Sequence, residues 1–175
     1  MAIVVAENTT SPHSLLYSPL DPTVPEIRVI KVLPCGDTEN EQVSCLLGIV
    51  PLSDDTRYAA LSYVWGDPRV TEPIMVNGIT LHVTTNLASA LKNFSKHRFP
   101  KREADEDLQY LWVDAICINQ HESATSEQNH QVALMSRLYA NAASILSWLG
   151  PANADHIDVA LGIVHNIASV FWAAG

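Results

Sequence analysis

Basic residues are scarce in this 175-residue chain, which has 10 lysines and arginines against 19 aspartates and glutamates and a net charge of -9. The imbalance is concentrated after residue 102, where nine carboxylates accompany a single arginine, Arg137. Nucleic-acid binding needs a positively charged surface that attracts phosphates. The composition therefore argues against a nucleic-acid partner, and it indicates that a partner bound through charge is basic.

Paired cysteines and long apolar runs are lacking as well. Cys35, Cys45 and Cys117 are odd in number and unpatterned in spacing, which argues against a disulfide framework and for a reducing compartment. The most apolar stretch, residues 157–174, is interrupted by polar side chains, whereas a membrane span needs about 18 or more apolar residues in a row. These absences predict a cytoplasmic protein without a membrane span.

The sequence marks of several enzyme classes are missing too. The chain has no GxGxxG or P-loop glycines, no GxSxG nucleophile elbow, no HExxH helix and no CxxC pair. Each mark reflects a chemical need, such as glycines where backbone amides must approach a phosphate. We therefore expect no required cofactor and no metal site.

Strand patterns dominate the first half of the chain. Four segments have strand-like composition and are separated by turn residues: 26–33, 43–50, 58–65 and 74–83. The first two predict an antiparallel pair. Within the fourth, Asn77-Gly78 predicts a two-residue hairpin because both residues tolerate positive φ. The proline-rich stretch that precedes these strands predicts an extended arm over residues 1–25.

Helical and strand patterns alternate in the second half. Helical spacing of apolar residues predicts three helices, which begin near Asn86, at Thr125 with a capping-box Gln128, and at residue 157. The apolar runs 108–118 and 144–149 predict strands buried on both faces. The alternation predicts an α/β fold whose mostly parallel central sheet is flanked by helices, with added N-terminal antiparallel strands and a small β-hairpin.

A candidate ligand site follows from this fold, because loops at the carboxyl ends of parallel strands meet at one edge of the sheet. The residues expected there supply an aromatic ring, amides and carboxylates: Trp65, Gly66, Asp67, Asn119, Gln120 and Glu127. A structural interpretation is equally concrete. Trp65 would then pack at the edge of the core, the two amides would bond their own loop, and Glu127 would oppose a helix dipole.

Asp114 is unusual because it interrupts the apolar run 108–118. An ionised carboxylate in a buried strand is costly unless it is paired or hydrogen-bonded, so Asp114 needs a partner. That partner is either structural, such as loop amides or hydroxyl groups, or a ligand in a catalytic site. Cys117, on the opposite face of the predicted strand, is expected to be inert core rather than a nucleophile.

Several fragments follow one another in a fixed order along the chain: YAALSYVWGD at 58–67, VNG at 76–78, TNLASAL at 85–91, LWVDAICINQ at 111–120, Glu127 with Gln131, Val132 and Met135, YANA at 139–142 and WLG at 148–150. Together they closely resemble the heterokaryon incompatibility (HET) domain of filamentous fungi, with a core signature at 58–150. The chain departs from that pattern at Gln128, where the family commonly has arginine. The resemblance places the HET domain at 26–175 and predicts that the chain is one piece of a larger protein.

The resemblance implies a cytoplasmic effector module that triggers programmed cell death in fungal non-self recognition. Its expected partners are further copies of itself or related HET and receptor proteins. A distant likeness to TIR domains implies a flavodoxin-like sheet and an alternative function, an NAD glycohydrolase with NAD as substrate. Under that likeness Ser62 and Tyr63 join the candidate ligand-binding residues, and Glu127 or Asp114 is the candidate catalytic carboxylate.

Overall fold

The computed structural model describes four parts of the chain: residues 15–21, 23–34, 42–97 and 108–151. Within them lie seven strands: β1 (Glu26–Val32), β2 (Ser44–Pro51), β3 (Ala59–Tyr63), β4 (Thr71–Val76), β5 (Ile79–Thr84), β6 (Leu111–Trp112) and β7 (Ser144–Trp148). Three α-helices lie entirely within the described residues: α1 (Thr85–His97), α2 (Asp114–Cys117) and α3 (Thr125–Asn141). Leu15 and Leu16 are helical as well. The helix predicted from residue 157 onward lies outside the described residues, as does most of the predicted arm.

The strands form one mixed sheet in the order β5-β4-β2-β1-β6-β3-β7. β6, β3 and β7 run parallel to one another, and β2 runs parallel to β4. β1 is antiparallel to both of its neighbours, and β4 and β5 form an antiparallel hairpin. The α/β prediction is confirmed, but a mostly parallel sheet is wrong for the molecule as a whole. The reason is that β1 and β2, predicted as additions to the sheet, lie in its centre.

The hairpin between β4 and β5 forms where the sequence predicts it. Asn77 and Gly78 both have positive φ, at 51° and 79°, as a two-residue hairpin turn of this kind requires. The Asn77 side chain also accepts a hydrogen bond from the Leu47 amide at 2.9 Å and donates to the Leu47 carbonyl at 3.0 Å. The turn is therefore tied to β2 as well as closing its own hairpin.

Helices lie on both faces of the sheet, and the strand register points Trp112 of β6 and Trp148 of β7 to opposite faces. On one face the indole of Trp148 donates to Asn86 of α1 at 3.0 Å. On the other face the ring of Trp112 meets Tyr139 of α3 edge-on, with 5.6 Å between ring centroids. The predicted flanking of the sheet by helices is confirmed, with the core lying between sheet and helices.

The predicted long strand at 108–118 is wrong. β6 contains only Leu111 and Trp112, after which Val113 is extended and the chain turns into the short helix α2. The residues on both sides of this break are buried, because α2 itself packs into the core. A continuous apolar run records burial and does not distinguish a strand from a buried helical turn.

The start of α3 and the edge strand β7 also differ from the prediction. A 3-10 turn at Glu122–Ala124 precedes α3, and its N-cap is His121, whose ring accepts from the Ser123 amide. The N-cap of α3 is Ala124, without a side-chain cap bond, so the predicted capping box at Thr125 is wrong. β7 is present as predicted, but it is only half-buried because β3 is its one neighbour among the described strands.

Candidate functional site

The carboxylate of Asp114 lies at the carboxyl end of the parallel strands and receives hydrogen bonds from two aromatic side chains. β3 and β6 are adjacent, so Trp65, just after β3, comes close to Asp114, just after β6. The indole Nε1 of Trp65 donates to Asp114 Oδ2 at 2.8 Å, and the hydroxyl of Tyr63 donates to Oδ1 at 3.1 Å. The backbone amide of Ala115 also donates to Oδ1, at 2.7 Å. Thus the partner that the sequence requires for Asp114 is a set of three donors.

The two aromatic donors differ in exposure. Trp65 is 49% exposed, so one part of its ring is open to solvent while its N–H is bound. Tyr63 is largely covered, and burial, followed by the neighbouring charge of Asp114, raises the pKa of its hydroxyl well above the ordinary value. Tyr63 therefore stays protonated and keeps donating to Asp114 at neutral pH. The cluster thus places a half-exposed tryptophan beside a carboxylate held by three donors.

A second pair of side chains holds the loop that carries Trp65. Asn86, at the start of α1, donates from Nδ2 to the carbonyl of Val64 at 2.6 Å and accepts from Trp148 Nε1 at 3.0 Å. Neither Asn86 nor Trp148 appears among the residues predicted for the site. Both lie in the ordered fragments TNLASAL and WLG, and that was the available signal.

The predicted amide residues divide between this cluster and their own loop. Gln120 donates to the Asp114 carbonyl at 3.3 Å and accepts from Gln128 Nε2 at 3.2 Å, so it links α2 to α3. Asn119 accepts from the His121 amide at 3.0 Å. For Asn119 the contact is the loop bond of the structural interpretation, whereas Gln120 joins the surroundings of Asp114.

The remaining residues predicted after β3 do not converge on the carboxylate. Ser62 is exposed, and alternation along β3 points it to the face opposite Tyr63. Gly66 has φ 79°, which favours glycine, and gives the chain its turn after Trp65. Asp67 is occupied by Arg69, whose Nε and Nη2 donate to its two oxygens at 3.0 and 2.7 Å. That pair is exposed to solvent.

Glu127, the other candidate carboxylate, is bound by different residues from those that bind Asp114. Its Oε1 and Oε2 accept from Arg28 Nη1 and Nη2 at 2.8 and 3.0 Å, a two-point ion pair. Arg28 is only 1% exposed. Sequence reasoning missed Arg28, although a charge between Ile27 and Val29 is the same signal that singled out Asp114. The two candidate carboxylates are thus held by separate partners.

The ion pair determines the protonation of Glu127. Burial raises the pKa of its carboxyl, but the hydrogen bonds and positive charge of Arg28, with a weaker contribution from the Leu20 amide, outweigh burial and lower the pKa below its ordinary value. Glu127 is therefore ionised at neutral pH, and both of its oxygens are already occupied. Asp114 is the candidate carboxylate that lies next to an exposed aromatic ring.

Both thiols in the described part of the chain are shielded from solvent. Cys117 is fully buried as predicted, and burial raises the pKa of its thiol, and of the Cys45 thiol, to about 12. Among the residues that the structure describes, no group of three or more histidine, cysteine or acidic side chains is placed to hold a metal ion. None of the described helices is long and apolar enough to cross a membrane.

Comparison with known proteins gives a family. Residues 58–172 match the family model of the heterokaryon incompatibility protein (HET). The chain is also 34% identical over 157 residues to heterokaryon incompatibility protein 6, OR allele, of Neurospora crassa, a match that covers 85% of this chain and 22% of that protein. No solved structure matches significantly. The matched residues include β3, α2 and α3, together with Asp114 and its aromatic donors Tyr63 and Trp65. The chain therefore belongs to the heterokaryon incompatibility (HET) family.

Proposed function

We propose that this chain is the effector module of a fungal heterokaryon incompatibility protein, which triggers cell death by associating with copies of itself. The observation that carries this proposal is the family match over residues 58–172, together with the name of the Neurospora crassa relative. The chain spans 22% of that relative, so the remaining parts of such a protein would supply recognition of non-self.

An exposed apolar rim supports self-association as the way in which the module acts. Val64 and Leu149 directly follow the paired residues Tyr63 and Trp148, so the two exposed side chains are neighbours at one edge. Val64 is 74% exposed, and Trp65, the next residue along the chain, is 49% exposed. Contiguous exposed apolar side chains are typical of protein interaction sites.

The test compares two valines that are exposed on different elements. Val64→Lys places a charge in the rim, whereas Val132→Lys places the same charge on α3, where Val132 is also exposed. We expect both variants to keep the circular dichroism of the wild type. We expect only Val64→Lys to abolish killing on expression in Neurospora crassa and to abolish the concentration-dependent oligomers seen by light scattering. Killing that survives in a monomeric Val64→Lys protein would refute the self-association model.

A TIR-like NAD glycohydrolase is the second candidate, and it rests on the position of Asp114 beside the exposed ring of Trp65. In this reaction water replaces nicotinamide on the ribose carbon, which yields nicotinamide, ADP-ribose and a proton. An aromatic face can stack on a base, and a carboxylate can stabilise positive charge that develops on the ribose. The parallel part of the sheet, β6-β3-β7, is the part that supports the TIR likeness.

Nicotinamide release from NAD at high protein concentration tests this alternative. If the protein is an NAD glycohydrolase, Asp114→Asn should abolish release, because it removes the charge while preserving the size of the side chain. Glu127→Gln should reduce release only as far as it unfolds the protein, since Glu127 is bound to Arg28. The alternative fails if the folded wild type, at concentrations where it oligomerises, releases no nicotinamide.

A further inference from the structure

Residues 15–21, here called the strap, lie against the body of the domain although they precede the first strand. Three of their side chains are buried: Leu16, Tyr17 and Leu20. Leu15, in the same segment, is 64% exposed. The strap therefore presents one apolar side to the body, as a bound peptide does.

The body recognises the strap through its main chain and one aromatic ring. Arg28 Nη2 donates to the Ser18 carbonyl at 2.7 Å, and the Leu20 amide donates to Glu127 Oε2 at 3.4 Å. The guanidinium carbon of Arg28 lies 5.2 Å from the centre of the Tyr17 ring, within the range of a cation–π contact. Main-chain hydrogen bonds combined with side-chain pockets are one way in which proteins bind peptides.

The strap also holds the helical turn that carries Asp114. The hydroxyl of Tyr17 donates to the Ile116 carbonyl at 2.9 Å, and Arg28 Nη1 reaches the Cys117 carbonyl at 3.4 Å. Both carbonyls lie at the end of α2, whose first residue, Asp114, receives the bond from Trp65. The four residues of α2 thus connect the strap at one end to the exposed indole at the other.

We propose that Arg28, Glu127 and α2 form a peptide-binding groove that the chain fills with its own strap, and that release of the strap shifts α2 and with it the Asp114–Trp65 contact. The ligand class is a short peptide with an aromatic residue followed three residues later by leucine, as in Tyr17 and Leu20. Within the groove, the buried Nε of Arg28 has no hydrogen-bond partner among the described residues. This control device does not depend on the proposed cell-death function, and its tests use no killing assay.

The first test compares two leucines of the strap in the full chain. Leu20→Ala removes a buried side chain, and Leu15→Ala removes an exposed one. The amide of residue 20 donates to Glu127, and the amide of Ile118 donates to the Asp114 carbonyl. We expect Leu20→Ala to speed hydrogen exchange at both amides at least tenfold. We also expect it to shift the resonance of the Trp65 indole N–H. The β4–β5 hairpin and the Leu15→Ala protein should stay unchanged. Uniformly faster exchange throughout the Leu20→Ala protein would mean that the strap is an inseparable part of the core, and the proposal would be wrong.

A gentler substitution and a free peptide complete the design. Tyr17→Phe keeps the buried ring and removes only the bond to the Ile116 carbonyl, and Tyr110→Phe is its matched control at an exposed tyrosine. We expect Tyr17→Phe alone to shift the Trp65 resonance. A synthetic peptide with the sequence of residues 15–21, at millimolar concentration, should restore that resonance in the Leu20→Ala protein, whereas the same peptide with alanine for tyrosine should not. An unmoved Trp65 signal in Tyr17→Phe, or no effect of the peptide, overturns the proposal.

Discussion

The buried guanidinium of Arg28 depends on Glu127 for the neutralisation of its charge. Glu127→Gln keeps the shape of the side chain but leaves a 1% exposed cation without its counter-ion. Removal of one partner of a buried pair is strongly destabilising, and since Glu127 is itself 19% exposed we expect a loss of about 2–3 kcal/mol of the free energy of unfolding. Urea denaturation measures this loss. The control is Asp67→Asn, which breaks the exposed pair with Arg69 and should leave the urea midpoint unchanged.

The same ion pair predicts how stability depends on pH. The pKa of Glu127 is lower in the folded protein than its ordinary value of 4.5, so as the pH falls the unfolded chain binds the proton first. The contribution of the pair to stability is complete above pH 4.5 and is lost as the pH falls through the folded-state pKa. The difference in urea midpoint between wild type and Glu127→Gln should therefore shrink below pH 4.5. A difference that stays constant from pH 7 to pH 3 would contradict this assignment.

Asp114 and Arg28, two charged residues within apolar segments, show how much of the site the sequence can predict. The cost of burial is enough to predict that Asp114 has a partner, and the same argument applies to Arg28. The identity of each partner depends on which strands are adjacent, and local patterns do not contain that information. Trp65 reaches Asp114 because β3 neighbours β6, whereas Glu127 reaches Arg28 across 99 positions of sequence.

Among the elements, the β4–β5 hairpin is defined by two residues with positive φ. Gly78→Ala places a side chain at φ 79°, a left-handed conformation that costs an L-residue about 1–2 kcal/mol. Open space surrounds the position, so this cost comes from the backbone and not from a clash. Gly48→Ala in β2 is the matched control, since its added carbon also meets nothing within 4 Å and its φ is not positive. Thermal unfolding should show a loss for Gly78→Ala and none for Gly48→Ala.

Elements that form because of a local sequence signal can be predicted from the sequence, whereas elements that form because of tertiary packing cannot. The hairpin follows from Asn77-Gly78, and α1 follows from apolar spacing after Asn86. The turn of α2 was missed because its residues are as buried as those of a strand, so the apolar run continues through it. What makes the chain leave the sheet after Trp112 is the packing of α2 against β1 and the strap, which involves residues about 90 to 100 positions earlier.

At the scale of the whole molecule, a short strand pairing between β1 and β6 joins the two halves of the described sheet. β5, β4, β2 and β1 form one half, and β6, β3 and β7 form the other. The sequence predicts the α/β class and most of the strands, yet β1 and β2, predicted as additions to a parallel sheet, lie inside it because β1 pairs with both β2 and β6. Between β1 and β6 the register contains one pair, Ile30 with Leu111, and both residues are fully buried.

We expect the two halves to unfold as one unit, because a single core cluster extends through both. Tryptophan fluorescence reports on the half that contains β6, β3 and β7, since Trp65, Trp112 and Trp148 lie on or next to these strands. It is measured with Trp172 replaced by phenylalanine. Alkylation of Cys45, on β2, reports on the half that contains β5, β4, β2 and β1, and peptide mass identifies the alkylated residue. Burial raises the pKa of the Cys45 thiol to about 12, so the thiol reacts only when this half unfolds. The two urea midpoints should coincide, and Leu111→Ala, with an expected loss of about 2–5 kcal/mol, should lower both equally. If Leu111→Ala lowers the fluorescence midpoint and leaves the Cys45 midpoint in place, the halves are separate folding units.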